Sequence, residues 1–439
     1  MRSAFNGILI FLLTGILSST VFAQETRKLS LEESIQIGLE NSELIHSSKM
    51  KVAYAEAKWS EVNTYRLPSL KLNASYTRLS EIEPFILNTP FGNFNISPSI
   101  VNNYNVKLSL QQPIFTGFKL SSSSNMAEYS YEAQKQEYTK DEQQLILDIK
   151  NAYWNLFKMT RVKSVVDENI DLIKAHLTDV KNFFDNGIST KNDVLKVQVQ
   201  LAEAQLRQID ADNGVKLARS NLNNIIGLPL STDTEVQSEV AIEDQLVPDL
   251  DQLTEQAMEN RPELKAMDFR LKAGESGVTL AESGWYPQIY LAGNYYYSRP
   301  NQRIFPAEDK FNDTWDVSVG LSWDIWNWLA TSDQTKQAEA QYEQVKDGYK
   351  CLKDGISLEV TQNYLNLLKA KEKISAADQS VHQSEENYRV TNETFKNGLA
   401  LNSDLLDAEF ALLQAKTNYI QAIADYELAK SNLEKSIGK

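Results

Sequence analysis

The chain has 439 residues, with 59 acidic and 44 basic side chains and a formal charge of −15, a balance that argues against a nucleic-acid partner because polyphosphate binding rests on Lys and Arg neutralising it. Its single cysteine, Cys351, excludes an intrachain disulfide and a cysteine-type zinc site. His46, His176 and His382 are scattered without ligand spacing and read as surface or packing residues; with no nucleophile motif, metal cluster or glycine-rich phosphate loop, neither enzymatic activity nor a cofactor or metal is expected.

The first 23 residues read as a signal peptide. Arg2 precedes the apolar run Ile8-Leu9-Ile10-Phe11-Leu12-Leu13, and Val21-Phe22-Ala23 before Gln24 has the small-x-small form of a cleavage site. The run is short and broken by Gly and Ser, which disfavours a membrane anchor. Cys351 lies far from the cleavage site, so no lipidated N-terminus is expected.

The remainder of the chain is one plan traversed twice. Gly187-Ile188-Ser189-Thr190-Lys191-Asn192-Asp193 and Gly398-Leu399-Ala400-Leu401-Asn402-Ser403-Asp404 occupy matching places at an offset of 398 − 187 = 211 residues. Tyr153-Trp154-Asn155-Leu156 and Tyr364-Leu365-Asn366-Leu367 keep the same offset. The expected division is a first repeat over 24–228, a linker over 229–249 packed against the outside of the helices, and a second repeat over 250–439 that ends the chain.

In chain order, Ser30 with Glu33 three residues on predicts a capping box opening a helix over 31–39. A second helix over 41–66 stops at Leu67-Pro68. The period then changes to alternation: Leu70, Leu72, Ala74 and Tyr76 against Lys71, Asn73, Ser75 and Thr77 predict a strand over 69–79. A loop over 80–103 carries Phe85, Phe91 and Phe94, and Val106, Leu108 and Leu110 mark a strand over 104–113. No Gly or Pro occurs between Gly117 and Gly187, which predicts a helix of roughly 100 Å at about 1.5 Å per residue. Past a tip at 186–192, Val194, Val197, Leu201, Ala204, Ala211, Val215, Ala218 and Leu222 form a heptad seam. Gly227-Leu228-Pro229 ends it. The second repeat gives strands over 288–298 and 314–326 and a hairpin tip at 397–403.

Each alternating stretch has the roughly ten-residue length of a tilted membrane strand. Aromatic residues gather near the strand ends, Tyr76, Phe115, Tyr295, Trp315 and Trp323 among them, as interfacial girdles would require. A soluble sheet would need a core partner that the self-burying helices do not supply. Four strands per chain leave two open edges, which lipid does not tolerate, so other copies must close the barrel. Two copies would give eight strands filled by side chains, and three would give twelve around a lumen; a helical extension is of use only to a lumen, which favours three.

Over nearly all of its mature length the chain resembles the TolC family of outer-membrane efflux proteins. The resemblance rests on the duplicated order of elements, the turn glycine followed six residues later by Asp, Tyr65-Arg66-Leu67-Pro68 before the first strand and Gln112-Pro113-Ile114-Phe115-Thr116-Gly117 after the second. It implies an α+β membrane protein: a homotrimer whose twelve-stranded β-barrel sits in outer-membrane lipid and continues as a periplasmic α-helical tunnel. It further implies an exit duct that docks a periplasmic adaptor serving an inner-membrane transporter of RND or ABC type; the alternative within the family is the exit duct of a type I protein secretion system.

By the same resemblance, Asp404 and Asp407 match an aspartate ring at the periplasmic entrance, and Asp404 can cap the following helix as well; Asp193 is the first-repeat counterpart of Asp404, and capping alone would explain it equally. Where the family pattern places a polar lock at the tip, this chain has Phe395 and Ala400, so closure by apolar contact of Phe395 and Leu399 is expected. Adaptor docking is expected on Asn186, Gly187, Ile188 and Ser189 and on Asn397, Gly398, Leu399 and Ala400.

Overall fold

The computed structural model describes residues 27–97, 99–237 and 248–439; the expected signal peptide and residues 238–247 of the expected linker lie outside them. A three-residue strand, β1 (Arg27–Leu29), comes first. At the first helix, Ser30 Oγ accepts from Glu33 N–H at 3.1 Å while the Glu33 carboxylate accepts from Ser30 N–H at 2.8 Å, the anticipated capping box. That helix, α1, spans Leu31–Asn41. Ser42 caps the next, α2 (Glu43–Thr64), which therefore starts two residues later than expected.

Strands β2 (Ser69–Arg78), β5 (Asn102–Phe115), β7 (Gln288–Arg299) and β8 (Asn312–Ser322) form one antiparallel sheet in that order, with β2 and β8 as open edges. Leu70 faces Leu110 and Leu72 faces Leu108, so one face of the sheet is apolar and the other polar, as the alternation requires. The apolar face is bare within the chain, with Leu72 69 % and Val319 73 % exposed. The fourth strand stops at Ser322, short of the expected 326, where β7 has no further residue to pair with it.

Two short pairings escaped the sequence reading. The loop over 80–103 contains a hairpin of β3 (Phe85–Thr89) and β4 (Gly92–Ser97). The linker contributes β6 (Thr234–Val236), which pairs in parallel with β1 and ties the two ends of the first repeat together.

The long helices are α3 (Lys119–Asp185) and α7 (Ala330–Lys396), 67 residues each, about 100 Å at 1.5 Å per residue. Each folds back through a tip onto a 35-residue helix, α4 (Lys191–Ile225) or α8 (Asn402–Ser436). The second repeat opens with α5 (Leu250–Asn260) and α6 (Pro262–Glu282). Both long helices begin from a left-handed pair, Gly117-Phe118 in one repeat and Trp328-Leu329 in the other. Among the described residues, no helix is long and apolar enough to cross a membrane.

The two repeats meet along β5 and β7 in the sheet and along α3, which packs against both α6 and α8. Three apolar clusters follow the helices: one on α1, α3 and the end of α4 around Ile149, Trp154 and Leu222; one on α5, α7 and α8 around Val360 and Leu433; and one toward the tips around Val180, Val197 and Leu405.

Candidate functional site: the two hairpin tips

Both tips are built by the same helix ending. Gly187 (φ 72°) and Gly398 (φ 71°) are left-handed, a conformation open to glycine at little cost, and neither has an atom near the place a Cβ would occupy. Ile188 N–H then reaches Phe183 O at 2.8 Å and Gly187 N–H reaches Phe184 O at 2.9 Å. Leu399 to Thr394 and Gly398 to Phe395 repeat the pattern at 2.9 Å each. These are Schellman ends, and with them five residues, 186–190 or 397–401, return the chain to the next helix.

The caps of the returning helices differ. Asp193 Oδ2 accepts from Thr190 N–H at 3.0 Å, Thr190 Oγ1–H at 2.6 Å and Ser189 Oγ–H at 3.2 Å, while Thr190 Oγ1 accepts from Asp193 N–H at 3.2 Å. The Thr190 side chain above all holds the Asp193 carboxyl below the ordinary aspartate range, assisted by the Thr190 backbone and Ser189 against the opposing effect of partial burial. At the second tip Leu401 replaces Thr190, and Asp404 Oδ2 keeps only the bond from Leu401 N–H at 3.1 Å. Asp404 thus caps α8 at the positive end of its dipole. Asp407 lies one turn on, and both carboxylates are exposed.

Of the expected docking residues, Asn186, Gly187, Ile188, Asn397, Gly398 and Leu399 are exposed, and Ser189 and Ala400 are half-buried. Ile188 and Leu399, at 67 % and 82 % exposure, give each tip an apolar point. Phe395 and Leu399 are placed differently: Leu399 projects outward, whereas Phe395 is buried in its own chain, with ring centroids 5.1 Å from His176 and 5.5 Å from Phe183. Phe395 therefore anchors α7 to α3 behind the tip.

Behind Phe395 lies a buried histidine–glutamate contact that periodicity did not reveal. His176 Nδ1 of α3 is 3.2 Å from Glu409 Oε1 of α8, with both side chains almost fully enclosed. Neither imidazole nitrogen of His176 and neither carboxyl oxygen of Glu409 has a hydrogen-bond partner among the described residues, so enclosing the two polar groups is costly. The nearby Tyr388 phenol is pushed up by burial first, then by the charges of Glu409 and Asp179. The only sequence signal was a Glu interrupting the apolar positions of α8 between Ala408 and Leu412.

Residues 34–228 and 253–439 match the model of the outer membrane efflux protein family. The outer membrane protein TolC of Escherichia coli is 23 % identical over 92 % of this chain and 80 % of its own length. TolC of Vibrio cholerae is 24 % identical over 69 % of each. Among solved structures, the Campylobacter jejuni CmeC outer membrane channel superposes with a TM-score of 0.80 at 15 % identity, covering 93 % of this chain and 85 % of its own. VceC of Vibrio cholerae gives 0.78 at 18 % identity, covering 93 % and 96 %. With its duplicated hairpins, its four-stranded sheet and a family match across both repeats, the chain belongs to the outer membrane efflux protein family and serves as an exit duct for efflux in the outer membrane.

Proposed function

We propose that three copies of this chain close a twelve-stranded barrel in outer-membrane lipid and a helical tunnel beneath it. The observation that carries the reading is a set of uncovered surfaces whose duplicates within the chain are covered. On α3, Leu147 is 8 % and Trp154 7 % exposed; their counterparts on α7, Leu358 (358 − 211 = 147) and Leu365 (365 − 211 = 154), are 68 % and 56 % exposed. Leu428 of α8 packs into the cluster around Trp154, while its counterpart Leu217 of α4 is 74 % exposed. An interface used once inside the chain and left open at both ends is heterologous, the kind that forms a ring when its rotation closes. Strand edges β2 and β8 agree, and three copies supply the number of strands that leaves a lumen.

In this ring the tips face the periplasm and dock an adaptor through Asn186, Gly187, Ile188 and Ser189 and through Asn397, Gly398, Leu399 and Ala400. The adaptor couples the duct to an inner-membrane pump of RND or ABC type. Asp404 and Asp407 line the entrance, where six carboxylates attract cations and raise the barrier to anions; Asp193 acts as a cap. Leu399 supplies the apolar part of the closure and Phe395 supports it from inside the wall. The duct performs no chemistry and binds no cofactor. Cross-linking of the purified outer-membrane fraction tests the assembly: a trimer is expected, and a soluble periplasmic monomer would overturn it.

A further inference from the structure

The duplication also fixes the register in which β8 meets β2 of a neighbouring copy. Strand β7 is β2 displaced by 219 residues, since Tyr286-Pro287 stands for Leu67-Pro68 (286 − 67 = 219). Strand β8 is β5 displaced by 211, since the left-handed pair Trp328-Leu329 stands for Gly117-Phe118 (328 − 117 = 211). These displacements carry the observed rung Leu70↔Leu110 onto Ile289↔Leu321 and Tyr76↔Tyr104 onto Tyr295↔Trp315, and both are present. Applied to the rung that joins the repeats, Pro113↔Tyr290, they place Asp324 (113 + 211) opposite Lys71 (290 − 219) of the next copy.

We infer that Asp324 of one copy and Lys71 of the next form an ion pair on the lumen face of the barrel seam. Both side chains are exposed, and neither has an ion-pair partner among the described residues. Lys71 lies on the polar face of β2, between Leu70 and Leu72 of the apolar face, and continued alternation puts Asp324 on the same face as Asp316. The early end of β8 fits as well. Strand β5 runs on to Phe115 because β7 covers it, whereas β8 stops at Ser322 for want of the strand that would add Asn73 opposite Ser322 and then Lys71 opposite Asp324. Opposite charges facing each other favour one register, and a slip by two residues would leave both unpaired.

This inference rests on the proposed ring, and the test separates the two. Cross-strand neighbours lie at about 4.5–5.5 Å between Cα atoms, within the reach of a disulfide. In a Cys351→Ser background, Lys71→Cys with Asp324→Cys is expected to oxidise to a covalently linked trimer in outer-membrane fractions, while either single variant does not. If an amine cross-linker returns the trimer but this pair does not link, the register is overturned and the ring stands; linkage of Lys71→Cys with Ser322→Cys instead would identify the slip. If the amine cross-linker returns only monomer, the ring fails and the inference falls with it. Should the double-cysteine chain not reach the membrane, Lys71→Glu is expected to lower the melting temperature of the detergent-resistant trimer, and Lys71→Glu with Asp324→Lys to restore it. Absence of restoration by the exchange overturns the ion pair.

Discussion

Helices α3 and α7 have the same length and the same place in their repeats, yet α3 buries 17 residues and α7 only 6. Their sequences do not explain so large a gap, since Ile149 and its counterpart Val360 are both fully buried. The difference lies in what the chain puts beside them: α3 has α6 and α8 of the following repeat against it, and among the described residues α7 packs mainly on α5, α6 and α8 of its own repeat. A duplicated chain thus shows its interface once from the inside and once as bare surface.

Substituting the same position in both helices should separate the covered helix from the bare one most strongly. Trp154→Ala removes a buried indole from the α1, α3 and α4 cluster and is expected to cost about 4 kcal/mol, lowering the melting temperature in any assembly state. Leu365→Asp, at the matching exposed site, is expected to leave helix content by circular dichroism intact while native gels shift from trimer to monomer. Equal loss of helix content in both variants would remove the distinction.

A somewhat smaller effect is expected deeper between the repeats. Glu409→Ala removes the polar neighbour of His176 in an enclosed site and should cost about 2 kcal/mol by thermal unfolding. At the offset of 211 residues the counterparts of Glu409 and His176 are Gln198 (409 − 211) and Asn387 (176 + 211), two neutral amides. The double variant Glu409→Gln with His176→Asn should therefore lose much less than the single one, and an equal loss would show that the unpartnered imidazole is not what makes the single variant costly.

The tips offer a gentler contrast. Thr190→Ala dismantles the full capping box and should cost about 1 kcal/mol, whereas Leu401→Thr should build one at the second tip and raise the melting temperature. The Thr190→Ala deficit depends on pH with a definite sign. Because the folded carboxyl of Asp193 is held below the ordinary value of 3.8, its contribution is complete above that value and is lost as pH falls through the lower folded one. Melting curves of wild type and variant should converge in acid, and a constant gap would show that the carboxylate has no part in the cap.

Most of the architecture was readable because its signals are periodic and occur twice. The strands announced themselves by alternation, the long helices by the absence of Gly and Pro, and the tips by a glycine whose left-handed turn has few other tenants. The hairpin in the loop over 80–103 and the three-residue ladder of β1 and β6 were not readable, since short pairings leave no period to detect. Nor was the His176–Glu409 pair, because 233 residues of chain (409 − 176) separate its members. Phe395 was legible as a departure from the family lock but not in its direction, which depends on the roll of α7 against α3.

The two helix endings have one consequence for stoichiometry. Their glycine turns are alike in backbone, with nearly identical φ and the same pair of hydrogen bonds, while their next residues are not: Ile188-Ser189-Thr190 at one and Leu399-Ala400-Leu401 at the other. The proposed ring of three chains would present six tips to a partner, alternating between a hydroxyl-rich and an aliphatic kind. A partner that grips only the shared backbone shape finds six equivalent seats and can fill them all; one that reads the side chains finds three.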